Sequence, residues 1–307
     1  YSNTNNEAIN NNTVNNEQYP ITIKHAFGET IIENKPERIA TISWGNQDVP
    51  LSLGVLPVGV SKANYGVADE VGLLPWTSEK FKELGQENPN IFDDTDGLDF
   101  EAISASKPDV ILASYSGITK EDYDLLSEIA PVVAYPKLAW QTKWREQIVL
   151  NSTAMGMEEE GNQLILDLEN IIEEEVIKYP QMEGKNAAFF YFNPSDLGKF
   201  YIDLGFSLPE SVSNLSNESD SFALELSSEN VEILSDIDVI VCYGDEKLLK
   251  SLQEDNLMGT IPAIKRGSVA LIEDGTPLAA SATPSALSIP YTIQEYVKIL
   301  SEAVDKI

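Results

Sequence analysis

The side chains best suited to hold a ligand in this sequence are aromatic, hydroxyl and amide groups that follow short apolar runs. Trp44 and Asn46 come after "RIATIS", Tyr65 follows "VLPVGVS", and Tyr115 and Ser116 close "DVILASYS". Ligands of open α/β sheets bind beyond the carboxyl ends of the strands. Aromatic rings at strand ends also serve in cores, so the set is more informative than any member. It predicts a cleft for a bulky, partly apolar ligand.

Further candidates of the same kind lie elsewhere in the chain. All four tryptophans fall within residues 44–144. Arg145 follows Trp144 and is either a cleft residue or one half of a salt bridge on a helix surface. The remaining predicted ligand contacts are Trp76, Trp140, Arg145, Tyr191, Tyr201 and Tyr243.

Arrangements typical of catalysis are scarce. The sequence has no Gly-x-Ser-x-Gly elbow, no phosphate-binding loop ending in Lys-Ser or Lys-Thr, and no dinucleotide fingerprint after its first strand. His25 and Cys242 are its only histidine and cysteine, so a zinc site has almost nothing to build from and Cys242 is interpreted as a buried structural thiol. Two classes stay open: a binding protein without a cofactor, and a metal-dependent synthase or hydrolase that uses some of the many carboxylates.

The charge balance excludes one class of partner. The chain of 307 residues has 20 Lys and Arg against 50 Asp and Glu, a net charge of −30. Such a field repels nucleic acid and anionic lipid, so we expect no nucleic-acid partner. No apolar run approaches the roughly 18 residues that span a bilayer.

Apolar spacing predicts the elements that must position these residues. "YPITIKHAFGETIIE" alternates around a glycine, which indicates a small hairpin. Strands are predicted over 38–44, 55–61, 109–115 and 131–135, and again over 187–192, 238–244 and 267–273. Helical spacing between them, as in "KEDYDLLSEIA", is typical of a parallel sheet with helices on both faces.

One long helix separates the two groups of strands. "MEEEGNQLILDLENIIEEEVIKYP" has an apolar stripe, and its proline ends the helix. The fold class is therefore α/β, with two lobes joined by this helix and a ligand cleft between them. The predicted division is a flexible Asn-rich tether at 1–18, an amino-terminal lobe at 19–156, the interlobe helix at 157–179 and a carboxy-terminal lobe at 180–307.

The order of several blocks resembles a known family. "KPERIATISW", "LGVLPVGV", "FEAISASKPDVILASYSGIT", "IAPVVAYP", "ENVEILSDIDVIVCYG" and "IPAIKRGSVALI" are similar to the substrate-binding proteins of bacterial ABC importers for iron–siderophore complexes. These include receptors for ferric enterobactin, ferric hydroxamates, ferric citrate and vitamin B12. Over residues 19–307 the resemblance implies two Rossmann-like lobes with mostly parallel central sheets, no enzymatic activity, and iron only within a bound ferric siderophore. We expect a monomer.

The resemblance also assigns a role to two glutamates. In such receptors a glutamate on the rim of each lobe docks onto basic residues of the membrane permease, and the matching positions are Glu101 in "LDFEAI" and Glu229 in "SSENVE". A carboxylate in the first turn of a helix is favoured by the helix dipole and exposed there, so it can pair with an arginine of a partner. Ordinary helix-start chemistry also explains both glutamates without any partner.

The sequence departs from the family pattern at one point. A longer, cleft-lining loop is expected between "FFYFNPSDLGKFYI" and "DLGFSLPESV", where Ile202 and Asp203 abut. Either the loop is naturally shorter or residues are absent here, which leaves the contacts of Tyr201 open.

The ligand class is predicted from the arginines. Only Arg38, Arg145 and Arg266 are present, whereas multiply anionic ferric catecholates and ferric citrate favour an arginine cluster. A neutral or cationic ferric hydroxamate suits aromatic walls, so it is favoured over citrate, catecholate, haem and cobalamin. Haem needs an axial ligand, and His25 lies in the hairpin. Family resemblance predicts an extracytoplasmic lipoprotein, with the Asn-rich stretch as the tether behind its lipid anchor.

Overall fold

The computed structural model describes residues 18–68, 70–203 and 223–307, with the side chains of 199–203 left out of the description. All but the last residue of the predicted tether at 1–18 lies outside the described residues. The chain after Asp203, where a longer loop is expected, also lies outside the described residues, up to residue 222.

A hairpin and a parallel sheet make up the amino-terminal lobe. The hairpin, strands β1 (Ile21–His25) and β2 (Gly28–Ile32), confirms its prediction. The sheet strands are β3 (Ile39–Thr41), β4 (Gly59–Ser61), β5 (Ile91–Phe92), β6 (Val110–Leu112) and β7 (Val132–Val133). They lie in the order β5-β4-β3-β6-β7, with every neighbouring pair parallel. The connecting helices are α1 (Asp48–Ser52), α2 (Pro75–Glu83), α3 (Phe100–Ala105) and α4 (Lys120–Ser127).

Two packed helices lead out of this lobe. Helix α5 (Trp144–Ala154) packs against α6 (Glu158–Val176), the long helix that the sequence predicts. Every strand of the first sheet precedes α6 and every strand of the second follows it. The structure thus contains two separate sheets on either side of α6, while the exact lobe boundaries stay a prediction.

The second sheet is mixed rather than parallel throughout. Its strands are β8 (Ala187–Asn193), β9 (Asp196–Asp203), β10 (Ala223–Ser227), β11 (Val239–Tyr243) and β12 (Val269–Ile272), in the order β10-β9-β8-β11-β12. Strands β8, β11 and β12 are parallel, as predicted, but β9 and β10 are antiparallel additions that the sequence analysis missed. Only Pro194 and Ser195 separate β8 from β9, and so short a connection can join only antiparallel strands.

Helices and short 3-10 turns complete the carboxy-terminal lobe. The helices are α7 (Glu246–Glu254), α8 (Pro262–Arg266), α9 (Pro277–Ala280) and α10 (Ser288–Val304). The 3-10 turns span Pro180–Met182, Ser228–Leu234 and Met258–Thr260. In the described part of the chain, no helix is long and apolar enough to cross a membrane. Cys242 is fully buried on β11, as predicted, and burial raises the pKa of its thiol to about 12.

The two lobes share a hydrophobic core in addition to the connecting helix. Val49 of α1, Ile148 of α5 and Leu168 of α6 pack in one cluster with Ala286 and Ile289. The last two residues follow the second sheet in sequence, yet they pack on the first lobe. The prediction of one bracing helix is therefore incomplete, because a second segment of the chain also fixes the lobes together.

The α5–α6 contact depends on a glycine. A Cβ atom at Gly161 of α6 would lie 2.0 Å from Oγ and 2.5 Å from Cβ of Ser152 on α5. Gly161→Ala should therefore lower the free energy of unfolding by about 1–3 kcal/mol through overpacking, despite the better helix propensity of alanine. Urea unfolding measures this change. Asn162→Ala, at the exposed neighbouring position, is the control. Equal stability of the two variants would show that α5 and α6 can move apart locally at no cost in stability.

Candidate ligand-binding cleft

A cleft of about 1260 Å³ opens between the lobes at the carboxyl ends of the strands. The amino-terminal lobe and α5 supply most of its aromatic wall, and one strand and one loop of the carboxy-terminal lobe close the other side. Its lining includes Trp44, Tyr65, Tyr115, Trp140, Trp144 and Arg145 from the first side and Tyr191, Ala282, Thr283 and Pro284 from the second. Six of these ten are predicted ligand contacts.

Trp140 is the most exposed of the cleft tryptophans. The residue is 42% exposed, and its ring packs edge-on against the ring of Tyr115, with 5.5 Å between the centroids. The indole lies directly against Gly117, where a Cβ atom would come within 2.3 Å of Nε1. Trp140 also has φ +60°, as Ser43 in the same cleft has φ +65°. Such backbone is uncommon outside glycine and tends to cluster at functional sites.

Asn46 lies beneath the cleft rather than in its wall. It is fully buried, and its Nδ2 donates to the carbonyl oxygens of Ile42 (2.8 Å) and Tyr115 (3.0 Å). Its Oδ1 accepts from Ser114, Gln147 and Asn151 at 3.0–3.1 Å. The predicted ligand contact is thus a junction that joins the ends of β3 and β6 to α5.

Other predicted contacts are also placed behind the wall. Ser116 is fully buried and donates to the carbonyl of Ala113 at 2.7 Å. Trp76 is buried in α2, and Tyr243 donates to the carbonyl of Ala279 at 3.0 Å while its ring supports Tyr65. The side chain of Tyr201 falls outside the described residues. Ser116 and Tyr243 lie at or after strand ends as expected, but only tertiary packing shows which side chains reach the opening.

Asp48 is a buried carboxylate that sequence reasoning missed. Its oxygens accept from Ser285 (2.5 Å), Thr77 (2.9 Å) and Trp76 (3.2 Å), and also from Gln47 (3.2 Å). Burial raises its pKa to about 6, although these hydrogen bonds oppose the rise. Ser285 belongs to the carboxy-terminal lobe and directly follows the lining residues 282–284. The carboxylate therefore fixes one wall of the cleft to the opposite lobe.

A second tie crosses the cleft at Tyr65. Its hydroxyl donates to Oδ1 of Asp274 at 2.5 Å and accepts from the backbone nitrogen of Gly275 at 3.1 Å. Burial and the Asp274 bond raise the pKa of Tyr65 to about 12. The adjacent Gly66, at φ +75°, leaves room for Ala280, whose Cβ would be 2.7 Å from an added Cβ. The lobes thus touch closely on this side.

The charged groups of the cleft are mixed in sign. Lys62, Lys143 and Arg145 line it together with Asp94 and Asp122. Burial raises the pKa of Asp94, which accepts from the hydroxyl of Ser61 and from the backbone nitrogen of Asp99. The lining therefore carries no strong excess of either sign.

The three arginines of the chain lie apart. Arg38 and Arg266 donate to backbone carbonyl groups just ahead of β6 and β11, at the opposite edge of each sheet from the cleft. Arg145 alone lines the cleft, and it is also half of a salt bridge, with Nε 2.5 Å from Oε1 of Glu169. Both alternatives that the sequence leaves open for Arg145 are present at once.

Nothing in the described residues is arranged to ligate a metal: no group of three or more His, Cys, Asp or Glu side chains could hold an ion there. His25 is buried in the hairpin, where Nε2 lies 2.9 Å from Oγ1 of Thr30. The arrangement of rings, hydroxyls and a few balanced charges can bind a bulky ligand without chemical change.

This architecture is that of a binding protein, and the chain belongs to the periplasmic binding protein family, whose model it matches over residues 39–275. The family is one of substrate-binding proteins and not of enzymes, so the enzyme alternative is wrong. The chain is 54% identical to PiaA of Streptococcus pneumoniae TIGR4, which was solved in complex with ferrichrome. The match covers 93% of this chain and 99% of the PiaA chain, with a TM-score of 0.88.

Two curated relatives match over shorter stretches. The chain is 29% identical over 133 residues to YhfQ of Bacillus subtilis (strain 168), a putative ABC transporter substrate-binding lipoprotein, covering 40% of this chain and 36% of that protein. It is 30% identical over 118 residues to the ferric-anguibactin-binding protein FatB of Vibrio anguillarum, covering 38% and 32%. The matched stretch spans about a third of each curated relative.

Asp48 gives the stability a defined dependence on pH. Its pKa is raised from 3.8 to about 6 in the folded state, so the folded protein holds this proton more tightly than the unfolded chain does. Its contribution to the free energy of unfolding should therefore fall by about 2 kcal/mol as pH rises from 4 to 7. The difference between wild type and Asp48→Asn in urea unfolding, measured at several pH values, isolates this contribution.

Asp305→Asn, a change at an exposed carboxylate, is the matched control and should give curves parallel to wild type. If the Asp48→Asn curve also runs parallel to wild type between pH 4 and 7, the buried carboxyl does not titrate in that range.

Proposed function

We propose that this protein captures a ferric siderophore of the hydroxamate class in the interlobe cleft and delivers it to the permease of an ABC importer. The observation that carries the proposal is the cleft itself, which has an aromatic lining, mixed charges and a single arginine. The ferrichrome complex of PiaA, at 54% identity, supports the same ligand class. Iron would enter only within the siderophore complex.

The charge of the cleft is the reason for preferring a hydroxamate. Anionic ferric catecholates and ferric citrate gain most from several converging guanidinium groups, whereas Arg38 and Arg266 here are bound to backbone carbonyls away from the cleft. A ferric trihydroxamate is neutral or cationic and does not need such a cluster. The net charge of −30 also opposes an anion at long range. Haem finds no support from His25, which packs within the hairpin.

The location of the protein follows from the same role. A receptor of this kind acts outside the cytoplasm, where it meets the siderophore before the importer does. We propose that it is held at the cell membrane as a lipoprotein and works as a monomer. The name of the relative YhfQ, a substrate-binding lipoprotein, supports the anchor.

Glu101 and Glu229 are proposed to dock the receptor on its permease. Glu101 is exposed in the first turn of α3, where Asp99 caps the helix by accepting from the backbone nitrogen of Ala102 at 2.9 Å. It lies three residues after Leu98, which lines the cleft. Glu229 is exposed at the start of the 3-10 turn after β10, with its nitrogen donating to Oγ of Ser227 at 3.3 Å. Both carboxylates are available to cationic groups of a partner.

The ligand class is tested by titration of tryptophan fluorescence, because Trp44, Trp140 and Trp144 line the cleft. Ferrichrome should quench the signal at submicromolar concentration and iron-free ferrichrome should not. Trp140→Ala should weaken binding about tenfold by removing a large apolar contact, while Trp140→Phe should retain most of the affinity.

The comparison panel contains ferrioxamine B, ferric citrate, a ferric catecholate, haem and cobalamin. A tighter response to any of the last four than to both hydroxamates would overturn the assignment of ligand class. A flat signal for the whole panel would overturn the proposal of a siderophore receptor.

Docking is tested by uptake rather than by binding. Glu101→Ala and Glu229→Ala should each reduce uptake of the iron-55-labelled siderophore about tenfold in cells where the variant replaces the wild type, since each removes a charge-assisted contact. Affinity for the siderophore should not change. Glu121→Ala and Glu246→Ala are matched controls, because both are exposed glutamates in first helical turns of the two lobes. Equal loss in all four variants would contradict a specific docking role.

A further inference from the structure

Arg145 occupies an unusual position, since it faces the cleft in front and an acidic residue behind. Its guanidinium lies 4.1 Å from the ring centre of Trp144, and both residues line the cleft. Behind it, Nε lies 2.5 Å from Oε1 of Glu169 on the interlobe helix. The two side chains are 52% and 39% exposed, so both are accessible to solvent.

We infer that Glu169 is a specificity-determining residue that neutralises Arg145 and so keeps the cleft selective for uncharged and cationic ferric complexes over anionic ones. The inference rests on the proposed function. Glu169 does not line the cleft and acts on the ligand through Arg145.

The charge arithmetic of the wall supports this role. Besides Arg145, the lining contains Lys62 and Lys143 against Asp94 and Asp122, which cancel in sign. An unpaired Arg145 would leave an uncompensated positive charge beside the ring of Trp144, and a guanidinium there is a bidentate donor suited to carboxylate and catecholate oxygens. With Glu169 in contact, the pair presents no net charge to the ligand.

A purely structural salt bridge is the competing explanation, because the pair also links α5 to α6. Half-exposed ion pairs contribute little to stability, and these helices already share a hydrophobic contact through Ile148 and Leu168. The two explanations differ in one measurable respect: loss of a structural link affects all ligands alike, whereas loss of a charge affects them according to their own charge.

The test uses three ligands of different charge on the full chain: cationic ferrioxamine B, neutral ferrichrome and anionic ferric citrate. In Glu169→Gln, affinity for ferrichrome should stay within about twofold, ferrioxamine B should bind about fivefold more weakly and ferric citrate about fivefold more tightly. The decisive quantity is the ratio of ferrichrome to ferrioxamine B affinity. The shift should shrink at 0.5 M salt, because screening acts on the charges alone.

Three further variants complete the experiment. Arg145→Gln should shift the ratio in the opposite direction, and the double variant should return it close to the wild-type value. Glu173→Gln, one turn further along the same helix, makes the same change in net charge away from Arg145 and should have no effect.

The possible outcomes are distinct. An unchanged ratio in Glu169→Gln, or an equal loss of affinity for all ligands, overturns the role of Glu169 while leaving the receptor function intact. Failure of the wild type to bind either ferric hydroxamate overturns the proposed function itself.

Discussion

Asp48 is a buried carboxylate in the first turn of α1. No cation of the described residues pairs with it, and its charge is accommodated by hydrogen bonds from α2 and from Ser285 of the other lobe. A buried carboxylate that loses its donors is strongly destabilising, so these segments must stay together. Because residues 282–284 precede Ser285 and line the cleft, the same constraint sets the position of the cleft wall.

The two edges of each sheet carry different kinds of side chain. At the amino-terminal edges, Arg38 and Arg266 bind backbone carbonyls, and Asp109 and Asp238 accept from the backbone nitrogens of Arg38 and Asn186. These charges are thereby kept at the edge far from the cleft. The carboxyl edges carry rings, hydroxyls and a few charges of both signs, so the cleft of this highly acidic protein has no strong excess of either sign.

Contacts within the protein hold the cleft wall in place. Asn46 holds the ends of β3 and β6 against α5, and Gly117 provides the space into which Trp140 fits. Ties at Asp48 and Tyr65 join the lobes on two sides. A wall that is held by such contacts loses little entropy when a ligand binds.

Patterns in the sequence are sufficient to predict the α/β class, the hairpin, the long helix and the region of the cleft, because these follow from local periodicity and from the rule that parallel strands end at one edge. The antiparallel strands β9 and β10 were not predicted, because the only local signal for β9 is a two-residue turn. Tertiary structure alone decided that Trp44, Tyr65, Tyr115 and Trp140 face the cleft while Asn46 and Ser116 lie beneath it. The contacts of Asp48 with Ser285 and of Arg145 with Glu169 are also visible only in the tertiary structure. Such contacts join residues that are far apart in the chain, and no local pattern encodes which distant partner a side chain will contact.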